Sequence, residues 1–299
     1  MPVVMGVHTG LQNTTVAELR DLWALIERLG FDWVSIWDHF YSADFKGFEC
    51  HEAVASHAAL ACHTERVRVG SLVYCAGYRH PAVLANAIAT IDHLSGGRAD
   101  IGLGAGWAFN EYEAYGIPFP SAKVRLDMLE EAARCVRLLL REDVADFKGE
   151  HFSLNAARCE PKPLQAELPI WIGGGGEKRT LRIVAELADG WNVPFISPDD
   201  LAKKKAVLYG HCDAVARDPS EIRCAVNVGL ARDDASLQEQ FGAIAEFTRP
   251  GVLMGSDDEI VDAIGRYVAA GADQLNIAMR APWLTDDLER LAPLVQQLR

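Results

Sequence analysis

Eight short apolar segments alternate with amphipathic helical patterns along the 299 residues of this chain. This alternation predicts a parallel sheet, because each helix carries the chain back to the edge where the previous strand began. The predicted strands are Val3–Thr9, Trp33–Asp38, Val67–Tyr74, Ala99–Gly106, Ile170–Gly173, Trp191–Phe195, Cys224–Ala231 and Gln274–Met279. No low-complexity linker separates the units, which favours one closed barrel over two doubly wound domains. We therefore predict an α/β protein with a (β/α)8 TIM barrel, forming one domain over residues 1–299.

Capping residues mark the predicted helix boundaries. Thr15 and Glu18 have the spacing of a capping box, and the helix that follows them stops at Gly30. Pro81 suits a first helical position and Gly96 a C-terminal stop, so these residues bracket the third helix. Further helices are predicted near residues 52–63, 122–141, 177–188, 199–217, 235–247, 257–270 and 286–297.

Two connections are longer than a βα unit needs, and we expect insertions there, after strands 4 and 7. After strand 4, residues 107–121 are rich in glycine, proline and aromatic residues, as an active-site loop would be. Residues 147–168 then form an excursion, such as a hairpin, before the chain returns to the barrel.

Charge and composition exclude some classes of partner. The formal net charge of −13 argues against binding to nucleic acid or to an anionic membrane, since both require a basic surface. An anionic ligand stays open, because it needs only a local basic pocket. We therefore expect a small-molecule substrate rather than a nucleic-acid or membrane partner.

The cysteines and the apolar segments indicate a cytoplasmic protein. The seven cysteines contain no C-x-x-C pair, and their odd number excludes a complete disulfide framework, which favours reduced thiols. The first residues, Met1–Val7, carry no basic region or long apolar stretch. No segment approaches the ~20 apolar residues that span a bilayer.

No metal site is predicted. His51, His57 and His63 recur every six residues, which on a helix is a net rotation of about 240°. They therefore do not share one helical face.

The second predicted strand ends in a chemically reactive pair, Asp38 and His39. In a barrel of this type the carboxyl ends of the strands surround the active site. His39 can donate or accept a proton near neutral pH, while Asp38 can orient it or hold a cofactor. The alternative is a helix-capping aspartate beside a surface histidine.

The end of the fourth predicted strand suits a flat ligand. Small residues up to Gly106 let the backbone approach a ring closely, and Asn110 can present a donor and an acceptor to its edge. The alternative is a tight turn with Trp107 as a lid, in which Glu111 holds the loop.

A run of four glycines, Gly173, Gly174, Gly175 and Gly176, precedes the sixth predicted helix. We expect Lys178 and Arg179 to be its second and third residues. Free backbone N–H groups at a helix start, with cations nearby, suit an anion such as a cofactor phosphate. The alternative is a turn that needs positive φ.

The residues from Glu65 to Leu140 resemble the bacterial-luciferase-like family of flavin and deazaflavin oxidoreductases, and more narrowly its branch that uses coenzyme F420. The similarity runs from Val3 to about Asn192 and weakly to the end. The matching motifs are Asp38-His39-Phe40-Tyr41, Tyr78-Arg79-His80-Pro81, Leu94-Ser95-Gly96-Gly97-Arg98, Gly102-Leu103-Gly104-Ala105-Gly106-Trp107, Pro169-Ile170-Trp171-Ile172 with the four glycines, and Ala188-Asp189-Gly190-Trp191-Asn192.

The resemblance implies a TIM barrel, often homodimeric, that holds its cofactor ring at the carboxyl ends of the strands. It implies that Asp38 and His39 lie against the ring, and that Leu72, Val73 and Tyr74 form a cis non-prolyl bulge beneath it. Trp107 stands where relatives that oxidise sugar phosphates have a catalytic glutamate, so that substrate is in doubt.

Other residues have open roles at this stage. Arg79 either reaches the anionic tail of the cofactor or makes a surface salt bridge. His8 and Gln12, after the first strand, line the substrate pocket or belong to an ordinary loop. Tyr41 and Trp107 are expected to shape an apolar pocket with His8.

Together these patterns predict an F420-dependent oxidoreductase that moves a hydride between the deazaflavin C5 and a small organic substrate. One alternative is an FMN-dependent monooxygenase supplied by a separate reductase, since no residue separates the two cofactors. Another is a non-catalytic flavin- or deazaflavin-binding protein.

Overall fold

The computed structural model describes residues 3–42, 47 and 49–297 and contains twelve strands and eleven α-helices. The sequence-based prediction for Met1–Val7 falls partly on Met1 and Pro2, which lie outside the described residues. The strands are β1 Val4–Thr9, β2 Trp33–Ile36, β3 Arg68–Ser71, β4 Tyr74–Cys75, β5 Ala99–Gly104, β6 Ala145–Lys148, β7 Ser153–Ala157, β8 Ile170–Gly173, β9 Gly190–Pro194, β10 Arg223–Ala231, β11 Val252–Met254 and β12 Gln274–Met279. The helices are α1 Val16–Arg28, α2 Ala53–Cys62, α3 Pro81–Ser95, α4 Phe109–Ala114, α5 Ala122–Arg141, α6 Thr180–Leu187, α7 Pro198–Ala214, α8 Asp234–Phe241, α9 Ala245–Thr248, α10 Asp257–Ala269 and α11 Thr285–Gln297.

Eight parallel strands close into a barrel, which confirms the predicted fold. The order is β1, β2, β3, β5, β8, β9, β10 and β12, and β12 pairs with β1. The strands are almost fully buried on both faces, as expected for a parallel barrel wrapped by helices. All their carboxyl ends therefore lie at one end of the barrel.

The third predicted strand, Val67–Tyr74, is interrupted. The strand β3 stops at Ser71, the Leu72–Val73 peptide bond is cis, and pairing with β5 resumes only at β4. The bulge implied by the family resemblance is therefore present. The interruption turns the Val73 side chain into the carboxyl end of the barrel.

Both predicted insertions are present. After β5 the chain forms α4, α5 and an antiparallel hairpin of β6 and β7 before it returns to the barrel. After β10 it forms α8, α9 and the short strand β11, which pairs with the end of β10. Residues 107–121, predicted as an active-site loop, contain the short helix α4.

The sixth helix begins later than predicted. The strand β8 ends at Gly173, and residues 174–179 form a turn before α6 starts at Thr180. Lys178 and Arg179 are therefore not the second and third helical residues. The helix predicted near 235–247 is also divided, because Gly242 adopts a positive φ of 50° between α8 and α9.

Predicted caps explain the boundaries of two helices. Thr15 and Glu18 form a complete capping box at the start of α1. The helix α3 begins at Pro81 and ends at Ser95, and it is capped by Gly96, whose φ of 68° suits a residue without a Cβ.

None of the seven cysteines forms a disulfide, all of them being within the described residues. No helix in the described part of the chain is long and apolar enough to cross a membrane.

Candidate active site

A cavity of about 650 Å³ opens at the carboxyl ends of the barrel strands. Its volume lies within the range of sites that hold small molecules and cofactors. Nine predicted site residues line it: His8, Asp38, His39, Leu72, Val73, Gly106, Trp107, Gly173 and Gly174. Residues from five separate strand ends therefore meet there, as the barrel topology predicts.

His39 is held in the cavity wall by a buried carboxylate. Its Nδ1 lies 2.9 Å from Oε1 of Glu111, a residue of α4 that is only 2% exposed. The same oxygen accepts the backbone N–H of Tyr41, and the other accepts the hydroxyl of Tyr78 at 2.5 Å. Because the carboxylate takes a proton donor at Nδ1, the Nε2 atom is left for the cavity.

Glu111 remains an anion in this setting. Burial raises the pKa of its carboxyl, but His39, Tyr78 and the Tyr41 N–H outweigh burial, and the pKa lies below its ordinary value. An ionised carboxylate fixes the orientation of the imidazole and stabilises a proton on it. Glu111 therefore ties α4 to Tyr41 and Tyr78, as a residue that holds the loop would, and it also binds His39.

Asp38 is fixed by an ion pair and by a backbone hydrogen bond. Both of its oxygens contact the Arg79 guanidinium, at 2.6 and 3.0 Å, and one also accepts the Cys75 N–H at 2.8 Å. Such a bidentate pair fixes geometry. Arg79 therefore makes a partly buried ion pair beside the site rather than a surface salt bridge, and its contact with the tail of a cofactor stays a prediction. Asp38 thereby ties the end of β2 to Cys75 of β4, directly after the bulge, and to the loop that follows β4.

Three glycines make room for the bulge. A Cβ at Gly102, Gly104 or Gly173 would lie between 2.5 and 2.9 Å from the methyl groups of Val73. Real Cβ atoms do not approach so closely, so these positions require glycine. The bulge is thereby seated between β5 and β8.

His8 is a neutral imidazole in the cavity. Burial, helped by the positive charge of Arg280 and by His39, lowers its pKa to about 3. Its Nδ1 is 2.8 Å from the Ser35 hydroxyl. His8 can therefore exchange hydrogen bonds with a ligand without carrying charge.

Aromatic side chains form the remaining walls. Trp107 contacts the His39 ring edge-to-face at 5.3 Å and is 61% exposed at the cavity mouth. Phe195 and Phe247 line the opposite part, and Phe247 comes from the insertion after β10. This arrangement favours ligands with an apolar or flat body.

Several predicted site residues do not line this cavity: Gln12, Tyr41, Tyr74, Asn110, Gly175, Gly176, Lys178 and Arg179. Tyr74 is buried, with its hydroxyl 2.9 Å from His57, while Asn110 and Lys178 are exposed. Arg179 pairs with Asp127 and Glu130 of α5. Their roles toward a ligand remain predictions.

Sequence reasoning missed several lining residues, among them Tyr78, Asn192, Asn227, Phe247 and Arg280. Asn192 and Asn227 had a detectable signal, because each places an amide inside an otherwise apolar strand. Phe247 had none, since it lies in an insertion whose path the sequence does not define.

Comparison with known proteins identifies the family. The model of the luciferase-like monooxygenase family matches residues 2–249. The chain belongs to this family. An F420-dependent glucose-6-phosphate dehydrogenase of Kineococcus radiotolerans, a luciferase-like relative, is 32% identical over 240 residues, which are 79% of this chain and 70% of the relative. The prediction of a luciferase-like enzyme is confirmed.

Solved structures show the same luciferase-like fold. An F420-dependent secondary alcohol dehydrogenase, solved with an F420–acetone adduct, superposes over the whole of both chains with a TM-score of 0.90 at 21% identity. The oxygenating constituent of 3,6-diketocamphane monooxygenase from Pseudomonas putida, solved with FMN, has a TM-score of 0.77 at 16% identity and covers 99% of this chain and 98% of its own.

Proposed function

We propose that the protein is an F420-dependent oxidoreductase that transfers a hydride between C5 of the deazaflavin and a small organic substrate. The observation that carries the proposal is His39, whose Nδ1 is bound by the buried Glu111 and whose ring borders the cavity. The names of curated relatives that are at least 30% identical support F420 as the cofactor.

The cavity suits a flat tricyclic ring. Its walls combine the Val73 bulge, the glycine backbone at Gly104 and Gly173, and the aromatic face of Trp107. Leu72, Gly106 and Gly174 complete the surface that would hold the ring. Asn110, Gly175, Gly176 and Lys178 lie outside this wall and are proposed to contact the tail of the cofactor, whereas the charge of Arg179 is already paired.

The residues of the chain supply proton transfer and position. When bound, F420 supplies the hydride donor or acceptor at C5 of its ring. His39 would accept the hydroxyl proton of an alcohol at Nε2, or return a proton there when a carbonyl is reduced. Glu111 stabilises the protonated imidazole, and Asp38 with Arg79 keeps the bulge in place.

The charges on the cavity wall favour an alcohol or carbonyl compound over a sugar phosphate. Among the described residues, Arg280 is the one lysine or arginine on that wall, and His8 is neutral. The tryptophan at position 107 cannot act as an acid in place of glutamate.

Titration of the purified protein with oxidised F420 and with FMN tests the cofactor, followed by absorbance and fluorescence. We expect micromolar binding of F420 and F420 reduction with small secondary alcohols. No F420 binding in the wild-type protein overturns the proposal.

An FMN-dependent monooxygenase is the second candidate, supported by the description of the family model and by the FMN-bound neighbour. Oxygen consumption with reduced FMN, without turnover of F420, would favour it. If the protein only binds a cofactor without catalysis, His39→Ala should leave its cellular function intact. The homodimer and the cytoplasmic location stay predictions.

A further inference from the structure

A row of side-chain amides crosses the interior of the barrel below the cavity. Gln274 donates to Asn276 at 2.8 Å, Asn276 donates to Asn227 at 3.1 Å, and Asn192 donates to Asn227 at 3.0 Å. We call these four residues the amide row. They lie on β9, β10 and β12 and are at most 3% exposed.

One backbone carbonyl fixes the orientation of the whole row. The Nδ2 atom of Asn192 donates to the Ala225 carbonyl, which can only accept. The same Nδ2 reaches Asn227, so the atom of Asn227 that it contacts must be the oxygen. Because Oδ1 of Asn227 also faces Asn276, Asn276 must donate to it through Nδ2. The Oδ1 atom of Asn276 is then left to accept a hydrogen bond from Gln274.

This orientation leaves two polar atoms for the cavity. Asn227 uses Oδ1 twice, and Asn192 uses Nδ2 twice. Within the described residues, neither Asn227 Nδ2 nor Asn192 Oδ1 has a hydrogen-bond partner. Neither atom is fully enclosed by protein, so a ligand or water in the cavity can reach both. Since both residues line the cavity, these atoms face its interior.

A donor beside an acceptor is complementary to a carbonyl beside an N–H group. Buried polar atoms of this kind are costly unless a ligand or water satisfies them. Asn192 also lies next to the glycines that contact the Val73 bulge. It is in register with Gly173, and its backbone carbonyl accepts the N–H of Gly174.

We infer that Asn227 and Asn192 bind the carbonyl and N–H edge of the pyrimidinedione ring of the cofactor. Asn227 Nδ2 donates to a ring carbonyl, and Asn192 Oδ1 accepts the adjacent ring N–H. The inference rests on the proposed function only in assigning a deazaflavin to this cavity. FMN carries the same edge, so the pair does not distinguish the two cofactors.

Direct titration with oxidised F420, read by fluorescence without substrate, tests the inference in three variants. Asn227→Asp keeps an oxygen for Asn276 and Asn192 but replaces the donor with an acceptor. Asn227→Leu removes the amide without adding charge. Gln274→Leu is the matched control for Asn227→Leu, because it removes an amide from the same row away from the cavity without adding charge.

We expect the Kd for F420 to rise about 30-fold in Asn227→Asp and about tenfold in Asn227→Leu, and to stay within about threefold in Gln274→Leu. Melting temperatures measured alongside show whether each variant is folded. Equal affinity of wild type and Asn227→Asp overturns the inference, as does a loss in folded Gln274→Leu equal to that in Asn227→Leu. A wild-type protein that binds neither F420 nor FMN overturns the proposed function and this inference together.

Discussion

The two ends of the barrel both contain buried carboxylates, but they use them differently. At the amino end, Asp100 of β5 is fully buried and contacts Arg68, Arg223 and the Trp171 indole N–H. Burial raises the pKa of Asp100 against the opposing effect of both arginines. Arg223 also lies 4.7 Å over the Trp171 ring, which meets Trp33 edge-to-face inside the barrel.

At the carboxyl end the carboxylates hold other groups in place and leave polar atoms facing the cavity. Asp38 and Glu111 bind Arg79 and His39, while atoms of His39, Asn192 and Asn227 face the cavity. The amino end therefore closes the barrel, and the carboxyl end keeps hydrogen-bonding capacity for a ligand. Substitutions at the two ends should separate stability from activity.

The largest expected effect is on activity at the carboxyl end. His39→Gln should lower kcat for F420 reduction by roughly 10²–10⁴-fold, because it removes the group that transfers the proton. The melting temperature should stay near that of wild type. Steady-state assays check both this variant and the control His63→Gln, which changes an exposed histidine. An unchanged kcat in His39→Gln would exclude it as the proton carrier.

The next largest effect is on stability at the amino end. Asp100→Asn should reduce the free energy of unfolding by about 1–3 kcal/mol, because an oxygen that faces the donors of Arg68 and Arg223 is replaced by an amide, although the cost of burying a charge is removed. The kcat of the folded protein should not change. Urea denaturation measures the loss against Asp262→Asn, an exposed control expected within about 0.5 kcal/mol of wild type. A drop in kcat as large as that of His39→Gln would contradict the division between the ends.

Acid should weaken the fold through histidines that are buried as neutral groups. Burial lowers the pKa of His57 to about 4 and, with Arg280 nearby, that of His8 to about 3, whereas both titrate near 6.5 when unfolded. Stability is therefore complete above about pH 6.5 and falls as the pH drops toward these values, by about 2 kcal/mol per histidine at pH 5. Denaturation curves at pH 7 and 5 should show a smaller difference in His57→Gln and in His8→Gln. The same difference in all three proteins would refute this cause.

The smallest expected effect concerns the residue that positions His39. Glu111→Gln keeps the shape of the side chain but removes its charge, which should lower kcat about tenfold, the difference between a charged and a neutral hydrogen bond. Steady-state assays measure the change. Tyr78→Phe is the control that keeps the carboxylate. A kcat equal to that of wild type in Glu111→Gln would mean that Glu111 serves the loop alone.

Much of the fold was predictable because it depends on local patterns. Alternating strands and helices indicated the barrel, and the capping residues at Thr15, Pro81 and Gly96 marked helix ends. The errors came where local signals compete. The sequence around Lys178 and Arg179 resembled the start of a helix. In the structure these residues form a turn in which Arg179 pairs with Asp127, and α6 starts only at Thr180.

The site was predictable in part, since strand ends in a barrel converge on one place. That topology located His8, His39 and Gly173 without any knowledge of their contacts. It gave no information on Arg79, whose bidentate pair with Asp38 depends on how the loop after β4 folds back.

By itself, the sequence determined the barrel, the end of it where the chemistry lies, and the family, because periodicity, caps and motifs are carried by neighbouring residues. Only the tertiary structure decided that Asp38 anchors Arg79, that Glu111 holds His39, and that Asn227 turns its amide nitrogen toward the cavity. These assignments depend on atoms from different strands competing for the same hydrogen bonds, and only the closed barrel sets those distances.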